Sequence, residues 1–483
     1  MRGELRDQVA NGMAWSIVEK AGSMLLQMVV SIVVARLLMP EDFGVMAILT
    51  VFSALALVVV DSGFSQTLIR KEAPTESDYR SVFRFNLITA VVLYGLLVAL
   101  SPIIARFYDL PILIELAPVL FLLLPINALC IIQNTIFTRQ FRFALLSKVT
   151  FASSLISGVV AIGMALAGCG VWSLVGQRVS ALIVKALLLW TFSSWRPTAA
   201  YDGQVLRAMA PYSLKLLSTD LISALYNNIS QLFVGKMYST NTLGYFNQGQ
   251  KLKDLPVSSV LQSVQSVTFP ALSKIGGDER KFAESYRQVM MMVAFALFPM
   301  MTGLLAIAND LFALLLGEKW MPTVPYFEIL CLAGLFAPLA MVSYNVLKVK
   351  SNGSIIVKLE VLKKIIMTAI LALTIPHSVL AIAWGLSAMA LIEMCINFIA
   401  TTRYVCFSLS QFIRTLLPAA LLSGVMFGVV RLFLQYTDFP LPLRLLSEIG
   451  VGAGVYILLA FVFRLEAMKI VCELLRRQFT AKS

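Results

Sequence analysis

The sequence has few charged residues and a single histidine. Asp, Glu, Lys and Arg make up 13% of the 483 residues and hydrophobic residues make up 59%, against about 25% and 45–50% in soluble domains. One histidine, His377, cannot supply both imidazoles of an HExxH zinc site. The six cysteines form no CxxC pair, and no Walker loop occurs. These absences argue against a soluble metalloenzyme or ATPase, and the composition is that of a membrane protein.

Apolar stretches long enough to cross a bilayer recur along the whole chain. A crossing needs about 20 mostly apolar residues. Fourteen such spans are predicted, at 12–36, 43–66, 82–106, 112–135, 146–168, 170–194, 211–237, 242–270, 287–308, 322–347, 354–375, 378–401, 412–433 and 443–463. We therefore expect an all-α integral membrane protein with about 14 transmembrane helices.

The basic residues are distributed unequally between the loops on the two sides of the membrane. If the N-terminus is cytoplasmic, 25 of the 39 Lys and Arg residues lie on the cytoplasmic side, six lie on the opposite side and eight lie within spans. Cytoplasmic loops carry the excess of Lys and Arg, so both termini are predicted to be cytoplasmic. The net charge of +13 is thus explained by membrane orientation, and no nucleic-acid partner is expected.

The chain contains an internal repeat. Shifted by 200 residues, Val34–Leu37 and Phe43-Gly44 align with Val234–Met237 and Leu243-Gly244. The repeat predicts two six-helix lobes related by a pseudo-two-fold axis along the membrane normal, an architecture typical of alternating-access transporters. The predicted domains are an N-lobe at 1–200 (spans 1–6), a C-lobe at 201–405 (spans 7–12), two extra C-terminal helices at 406–465 (spans 13 and 14) and a basic cytoplasmic tail at 466–483.

Polar side chains follow one face of spans 1, 7 and 8 at helical spacing. The three stripes are Ser16, Lys20, Ser23, Gln27 and Ser31; Asp220, Ser223, Asn227 and Gln231; and Asn247, Lys251, Asp254, Ser258, Gln262 and Gln265. Polar groups at bilayer depth normally face a bundle interior or a wet cavity, which predicts a hydrophilic cavity between spans 1, 2, 7 and 8. The alternative is that they only hydrogen-bond between helices. In span 11, Lys363 and Lys364 with Glu360 could form a pocket, but Glu360 and Lys364 also have the spacing of an ordinary i,i+4 pair.

Several short motifs are familiar from one family. They are Gly12-Met13-Ala14-Trp15-Ser16, Leu37 to Phe43-Gly44, Asp61-Ser62-Gly63-Phe64, Phe269 to Ile275, and Leu316-Gly317-Glu318-Lys319-Trp320. With them the chain resembles the polysaccharide transporter branch of the MOP (multidrug/oligosaccharidyl-lipid/polysaccharide) exporter superfamily, and within it the Wzx-type flippases similar to colanic acid and teichuronic acid exporters.

The resemblance implies a transporter and not an enzyme. It implies that undecaprenyl-diphosphate-linked oligosaccharide repeat units are carried across the bacterial inner membrane for the synthesis of O-antigen, capsule or exopolysaccharide. The expected partners are the lipid-linked oligosaccharide, membrane lipids, and a polysaccharide polymerase with its chain-length machinery. No cofactor is expected beyond coupling to H⁺ or Na⁺.

Candidate residues for these roles come from the polar groups within the spans. The substrate-cavity candidates are Lys20, Gln27, Arg178, Lys185, Lys215, Asn227, Gln231, Asn247, Lys251, Lys253 and Gln262. The ion-coupling candidates are Asp61, Asp220 and Asp254. The cations among them would contact a diphosphate or acidic sugars.

Two other functions compete with this interpretation. A multidrug or toxin-type cation antiporter of the same superfamily would have a more hydrophobic pocket and usually twelve spans. A membrane-bound glycan polymerase or acyltransferase would need a large external loop or clustered catalytic residues, which the sequence does not display.

Overall fold

The computed structural model describes residue 22 and residues 24–198, 200–275, 278–351, 354–437 and 439–480, with the side chains of 263, 266–275 and 474–480 left aside. Regular structure within these ranges is helical throughout. By its internal contacts the chain divides into two compact units, Met1–Gly244 and Tyr245–Ser483. The lobe boundary near residue 200 stays a prediction.

The helices of the first unit follow one another with short connections. They are α1 (Met24–Leu37), α2 (Pro40–Asp61), α3 (Phe64–Arg70), α4 (Glu76–Tyr108), α5 (Ile112–Phe121), α6 (Leu123–Arg139), α7 (Phe143–Leu166), α8 (Trp172–Phe192) and α9 (Gly203–Met237). The next helix, α10 (Thr240–Ile275), begins in the first unit and continues into the second.

The second unit contains the remaining helices. They are α11 (Glu279–Ala306), α12 (Ala308–Leu315), a 3₁₀ helix (Glu318–Thr323), α13 (Val324–Lys350), α14 (Ser354–Thr374), α15 (Val379–Thr401), α16 (Leu409–Gln435), α17 (Leu441–Val462) and α18 (Glu466–Thr480). The predicted basic tail at 466–483 thus contains a helix.

Ten segments within the described ranges are long and apolar enough to cross a membrane. They correspond to predicted spans 2–6, 9, 10 and 12–14, which makes the chain a multi-pass membrane protein. Predicted spans 1, 7, 8 and 11 correspond to α1, α9, α10 and α14. Polar residues interrupt α9, α10 and α14, and α1 is described only from Met24, so the count of fourteen crossings stays a prediction.

A buried lysine of α14 forms ion pairs within its own helix and with α15. Lys363 is 3% exposed and forms ion pairs with Glu360 and, at 3.1 Å, with Glu393 of α15. Lys363 reaches two carboxylates at once, which is the arrangement that a buried ammonium group requires. Lys363, Glu360 and Glu393 thus form a three-residue ionic cluster between α14 and α15, and the Glu360–Lys364 pair stays a prediction.

Each unit has its own apolar core. In the first, Phe64, Phe83 and Trp195 belong to one buried cluster, which lies where α3 meets α4. In the second, buried aromatic residues from α11, α15 and the start of α16 pack together. There the Tyr286 hydroxyl shares a hydrogen bond of 2.8 Å with the Ser343 hydroxyl of α13. These cores hold the helices that carry the polar side chains described below.

The N-terminal ends of α2 and α10 approach each other through two glycines. A Cβ atom on Gly44 would collide with the backbone carbonyl of Thr240, and one on Gly244 would collide with that of Pro40. The contact is reciprocal, because Pro40 and Gly44 are aligned with Thr240 and Gly244 by the 200-residue repeat. Small residues at such crossings allow helix backbones to come close together in membranes.

Alanine at either glycine is expected to destabilise the protein. Gly44→Ala or Gly244→Ala places a methyl group against backbone that cannot move aside, and overpacking of this kind costs about 1–3 kcal/mol. The measurement is the thermal unfolding midpoint of the purified protein. Gly95→Ala in α4 is the control, because a Cβ there meets no atom within 4 Å. A Gly44→Ala protein as stable as Gly95→Ala would contradict the close crossing.

Candidate functional site

A polar cavity of about 630 Å³ lies in the first unit, between α2, α3, α6 and α9. Nine of its fifteen lining residues carry polar side chains: Asp61, Ser65, Asn127, Asn134, Thr135, Thr138, Asp220, Ser223 and Asn227. The candidates Asp61, Asp220 and Asn227, which are far apart in the sequence, therefore share one cavity. Polar groups in helices of this kind are costly unless they face such a space.

A break between α2 and α3 shapes one wall of the cavity. Ser62 and Gly63 both have left-handed backbone, with φ of 51° and 70°. A side chain on Gly63 would come within 2.8 Å of the Ser213 carbonyl oxygen of α9, so glycine allows α9 to lie close at this point. The Thr67 and Ser213 hydroxyls form a 2.8 Å hydrogen bond just beyond the break. The Asp61-Ser62-Gly63-Phe64 motif thus sets where α9 meets α2 and α3.

One arginine fixes the end of α3. The Arg139 guanidinium donates hydrogen bonds to the carbonyl oxygens of Leu68, Ile69 and Lys71 at 2.7, 2.9 and 2.6 Å, and to that of Glu72 at 3.1 Å. Carbonyls at a helix C-terminus have no partners within the helix. Since Arg139 ends α6, it joins α6 to α3, the two helices that supply adjacent parts of the cavity wall.

Two carboxyl groups face the cavity, Asp61 from α2 and Asp220 from α9. Both side chains are half-buried, and the Ser65 hydroxyl donates a hydrogen bond to Asp61. Because both carboxyl groups line the same cavity, two ionised carboxylates here would repel each other. A proton or a small cation at the pair would relieve that repulsion.

Three carboxamides give the cavity its hydrogen-bonding capacity. Asn127 and Asn134 lie two turns apart on α6, and Asn227 lies on α9. Their side-chain amides form no hydrogen bond with any residue in the described ranges, so each has two donors and one acceptor available. The hydroxyls of Thr135, Thr138 and Ser223 donate to carbonyls of their own helices and leave lone pairs as acceptors. The surface suits a ligand rich in hydroxyl groups.

The described lining of this cavity contains no lysine or arginine. The Arg178 side chain of α8 is exposed, and it forms no ion pair with a described residue. Lys185, two turns along the same helix, is half-buried, and Lys215 of α9 is exposed. The cations predicted to contact a diphosphate therefore lie outside the cavity that holds the carboxyl and amide groups.

The candidates of span 1 and Gln231 of α9 differ in their exposure and in their contacts. Lys20 lies outside the described residues. Gln27 is exposed, and its side-chain amide donates a hydrogen bond of 3.2 Å to the Ser154 hydroxyl of α7. Gln231 of α9 is half-buried and has an interaction of its own. The Gln27 hydrogen bond therefore joins α1 to α7, as in the alternative in which polar groups hydrogen-bond between helices.

The α10 candidates belong to the second unit. The Lys253 ammonium lies 2.5 Å from a carboxylate oxygen of its neighbour Asp254, with 13% of the lysine side chain and 52% of the aspartate side chain exposed. Asn247 is half-buried, whereas Lys251 and Gln262 are exposed. The roles of these residues stay predictions.

Sequence reasoning missed the α6 side of the cavity. Asn127, Asn134, Thr135 and Thr138 fall at i, i+7, i+8 and i+11, which is one face of a helix. That spacing was the available signal, but the polar residues stand apart in a strongly apolar span. Three charged residues of the second unit were missed as well. Asp310 was missed because its partner Arg444 lies 134 residues along the sequence, and Arg444 and Glu448 were missed although they have i,i+4 spacing.

Comparisons with known proteins agree with this architecture. A family model described as "Polysaccharide biosynthesis protein" matches residues 33–325. The teichuronic acid biosynthesis protein TuaB of Bacillus subtilis (strain 168) is 24% identical over 463 residues, covering 94% of this chain and 95% of TuaB. The succinoglycan biosynthesis transport protein ExoT of Rhizobium meliloti (strain 1021) is 25% identical over 333 residues, 68% of this chain and 67% of ExoT. The lipopolysaccharide biosynthesis protein WzxC of Escherichia coli (strain K12) is 24% identical over 375 residues, 74% of this chain and 73% of WzxC.

Two solved structures share the fold. The lipid II flippase MurJ, in an inward closed conformation, has a TM-score of 0.74 at 15% identity, covering 93% of this chain and 98% of MurJ. A multidrug resistance MATE family transporter of the MOP superfamily, inward-facing, has a TM-score of 0.61 at 13% identity, covering 80% of this chain and 98% of that one. The family match spans more than half of the sequence, and it confirms the resemblance seen in the motifs: the chain belongs to the polysaccharide biosynthesis protein family.

Proposed function

We propose that the chain is a flippase that carries undecaprenyl-diphosphate-linked oligosaccharide repeat units across the bacterial inner membrane for surface polysaccharide synthesis. Its family supports this, as do relatives named for teichuronic acid and lipopolysaccharide biosynthesis and for succinoglycan transport. The fold it shares with a lipid II flippase is consistent with such a cargo. The termini are proposed to be cytoplasmic, on the distribution of basic residues.

The observation that carries the proposal is the polar cavity of the first unit. Its carboxamides, which form no hydrogen bond with a described residue, and its hydroxyl acceptors match the hydroxyl groups of a sugar, whereas the long polyprenyl chain can stay in lipid. Each sugar hydroxyl left without a partner in a site of this kind would lose about 0.5–1.5 kcal/mol of interaction. The cavity thereby favours a glycan over a lipophilic drug.

The multidrug antiporter is the second candidate, because its superfamily shares the fold. The carboxyl and carboxamide groups of the cavity weigh against it, because a lipophilic ligand would leave them without hydrogen-bond partners. The glycan-modifying enzyme has less support, because one relative is itself named a transport protein.

Transport is proposed to be ion-coupled alternating access, with Asp61 and Asp220 as the coupling groups of the first unit. A proton or Na⁺ would bind between carboxylates that otherwise repel each other. Asp254 is an additional candidate, although Lys253 already neutralises it in this conformation. The diphosphate would be met by cations outside the cavity, among them Arg178, which forms no ion pair with a described residue.

Asparagine variants test whether the cavity handles the glycan. Asn134→Leu combined with Asn227→Leu is expected to lower transport about tenfold, because two hydrogen-bonding groups of roughly 0.7 kcal/mol each are lost. Each variant is expressed in cells that lack the chromosomal copy of the gene. The measurement is the fraction of lipid-linked oligosaccharide that is oxidised by a membrane-impermeant oxidant added on the periplasmic side.

The matched control is Asn228→Leu. Asn228 is next to Asn227 on α9, but its amide donates a 2.8 Å hydrogen bond to the Ala224 carbonyl of its own helix. Equal transport by the double variant and this control, at equal expression, would exclude the cavity as the glycan path. Cells without the protein that expose their lipid-linked oligosaccharide normally would refute the flippase itself.

Aspartate variants test the coupling. Asp61→Asn and Asp220→Asn are expected to make transport insensitive to an ionophore that collapses the H⁺ or Na⁺ gradient, since neither amide can bind the ion as a carboxylate does. Wild type should slow under the same ionophore. Asp109→Asn is the control, because Asp109 is exposed and pairs with Lys236 away from the cavity. Variants that respond to the ionophore as wild type does would remove the coupling role.

A further inference from the structure

A group of five charged side chains lies in the second unit, where the ends of α12, α13, α16 and α17 meet. They are Asp310, Glu328, Arg431, Arg444 and Glu448. None of them lines the polar cavity of the first unit. We call this group the Glu448 cluster.

Both guanidinium groups of the Glu448 cluster have committed partners. Arg444 of α17 donates through two nitrogens to the two carboxylate oxygens of Asp310 in α12. Arg431 of α16 donates to Glu328 of α13 at 3.3 Å and to the Leu305 carbonyl at 3.1 Å. A bidentate arginine–carboxylate pair has strict geometry, so Arg444 has little freedom to serve a second carboxylate equally well.

Glu448 is left without a donor. Its side chain is 0% exposed, and neither carboxylate oxygen accepts a hydrogen bond from any residue in the described ranges. The Arg444 Nε atom is 3.8 Å away, beyond hydrogen-bonding distance. The same Nε atom donates to Asp310, so the carboxyl groups of Asp310 and Glu448 flank one nitrogen atom, and both of them are acceptors. Between two acceptors, a hydrogen bond forms only if one of them carries a proton.

The charge balance of the Glu448 cluster leads to the same conclusion. Among the described residues, three carboxyl groups face two guanidinium groups, so an ionised Glu448 would give the cluster one negative charge in excess at a fully buried side chain. An unpaired buried charge costs several kcal/mol. The adjacent helix α11 supplies no compensation, because it carries no ionisable residue from Gln288 to Ala306. One proton on the cluster removes both the excess charge and the missing hydrogen bond.

We propose that Glu448 and Asp310 share one proton and form a proton-binding site in the second unit. Glu448 carries the proton as a carboxylic acid and donates it in a hydrogen bond to the Asp310 carboxylate, which Arg444 holds in place. When the proton leaves to water, two carboxylates compete for Arg444, and the contact between α12 and α17 must change. This site would add a second proton-sensitive element to the proposed coupling, but its existence does not depend on the cargo.

Infrared spectroscopy of the full chain in lipid bilayers at neutral pH tests the proposal. A protonated carboxyl group has a C=O stretching band well separated from that of a carboxylate. The difference between wild type and Glu448→Gln should show the loss of about one such group per chain. Asp310→Asn should also abolish the band, although Glu448 is retained, because Arg444 is then released to pair with an ionised Glu448. Glu318→Gln, at an exposed position, should leave the band unchanged.

Isotope labelling covers the case in which a variant fails to fold. In wild type grown with ¹³C-carboxyl-labelled glutamate, the carboxylic-acid band should shift to lower frequency. A carboxylic-acid band that does not shift, or a Glu448→Gln protein that keeps the full band, would show that Glu448 is ionised and would overturn the proposal. A band that survives in a folded Asp310→Asn protein would overturn the sharing of the proton with Asp310.

Discussion

The interior of a bilayer offers no water to a polar side chain, and this constraint governs where polarity occurs in the chain. In α9 and α14, polar residues interrupt the apolar sequence, and some of these polar groups contact other protein groups or face a cavity. Asp220 and Asn227 of α9 face the polar cavity, whereas Lys363 of α14 lies between two glutamates. The cavity and the ionic clusters are thus different solutions to the same desolvation cost.

Close backbone approach determines which polar groups can meet. Gly63 lets α9 lie against the break between α2 and α3, which places Asp61 and Asp220 on one cavity. Gly44 and Gly244 make an equivalent close approach between α2 and α10, in which each repeat contributes the same pair of positions. The internal repeat is therefore expressed in a physical contact as well as in the sequence, and the polar cavity lies on helices that such contacts hold together.

Periodicity and motifs predicted the positions of the helices and the family, because apolar length and helix-end motifs are local properties. The α9 face with Asp220 and Asn227 was predictable for the same reason. The α6 face was missed, since Asn127 and Asn134 are single polar residues in an apolar span. Glu448 was missed because its environment depends on Asp310, which is 134 residues from Arg444. Lys363 and Glu360 were noted together in the sequence, but the second partner of Lys363, Glu393, was missed because it lies 30 residues away. Pairing across such distances depends on packing, which local spacing does not encode.

The central claim, transport of a lipid-linked oligosaccharide, is tested most directly with purified protein in vesicles. Undecaprenyl-diphosphate-linked oligosaccharide with a fluorophore on its sugar is placed in both leaflets, and an impermeant quencher reports the fraction in the inner leaflet. Our account predicts that, in the presence of an ion gradient, the protein makes the protected oligosaccharide accessible to the quencher, whereas a labelled phospholipid stays protected. A protected fraction of the oligosaccharide that stays constant, as in protein-free vesicles, would contradict the account.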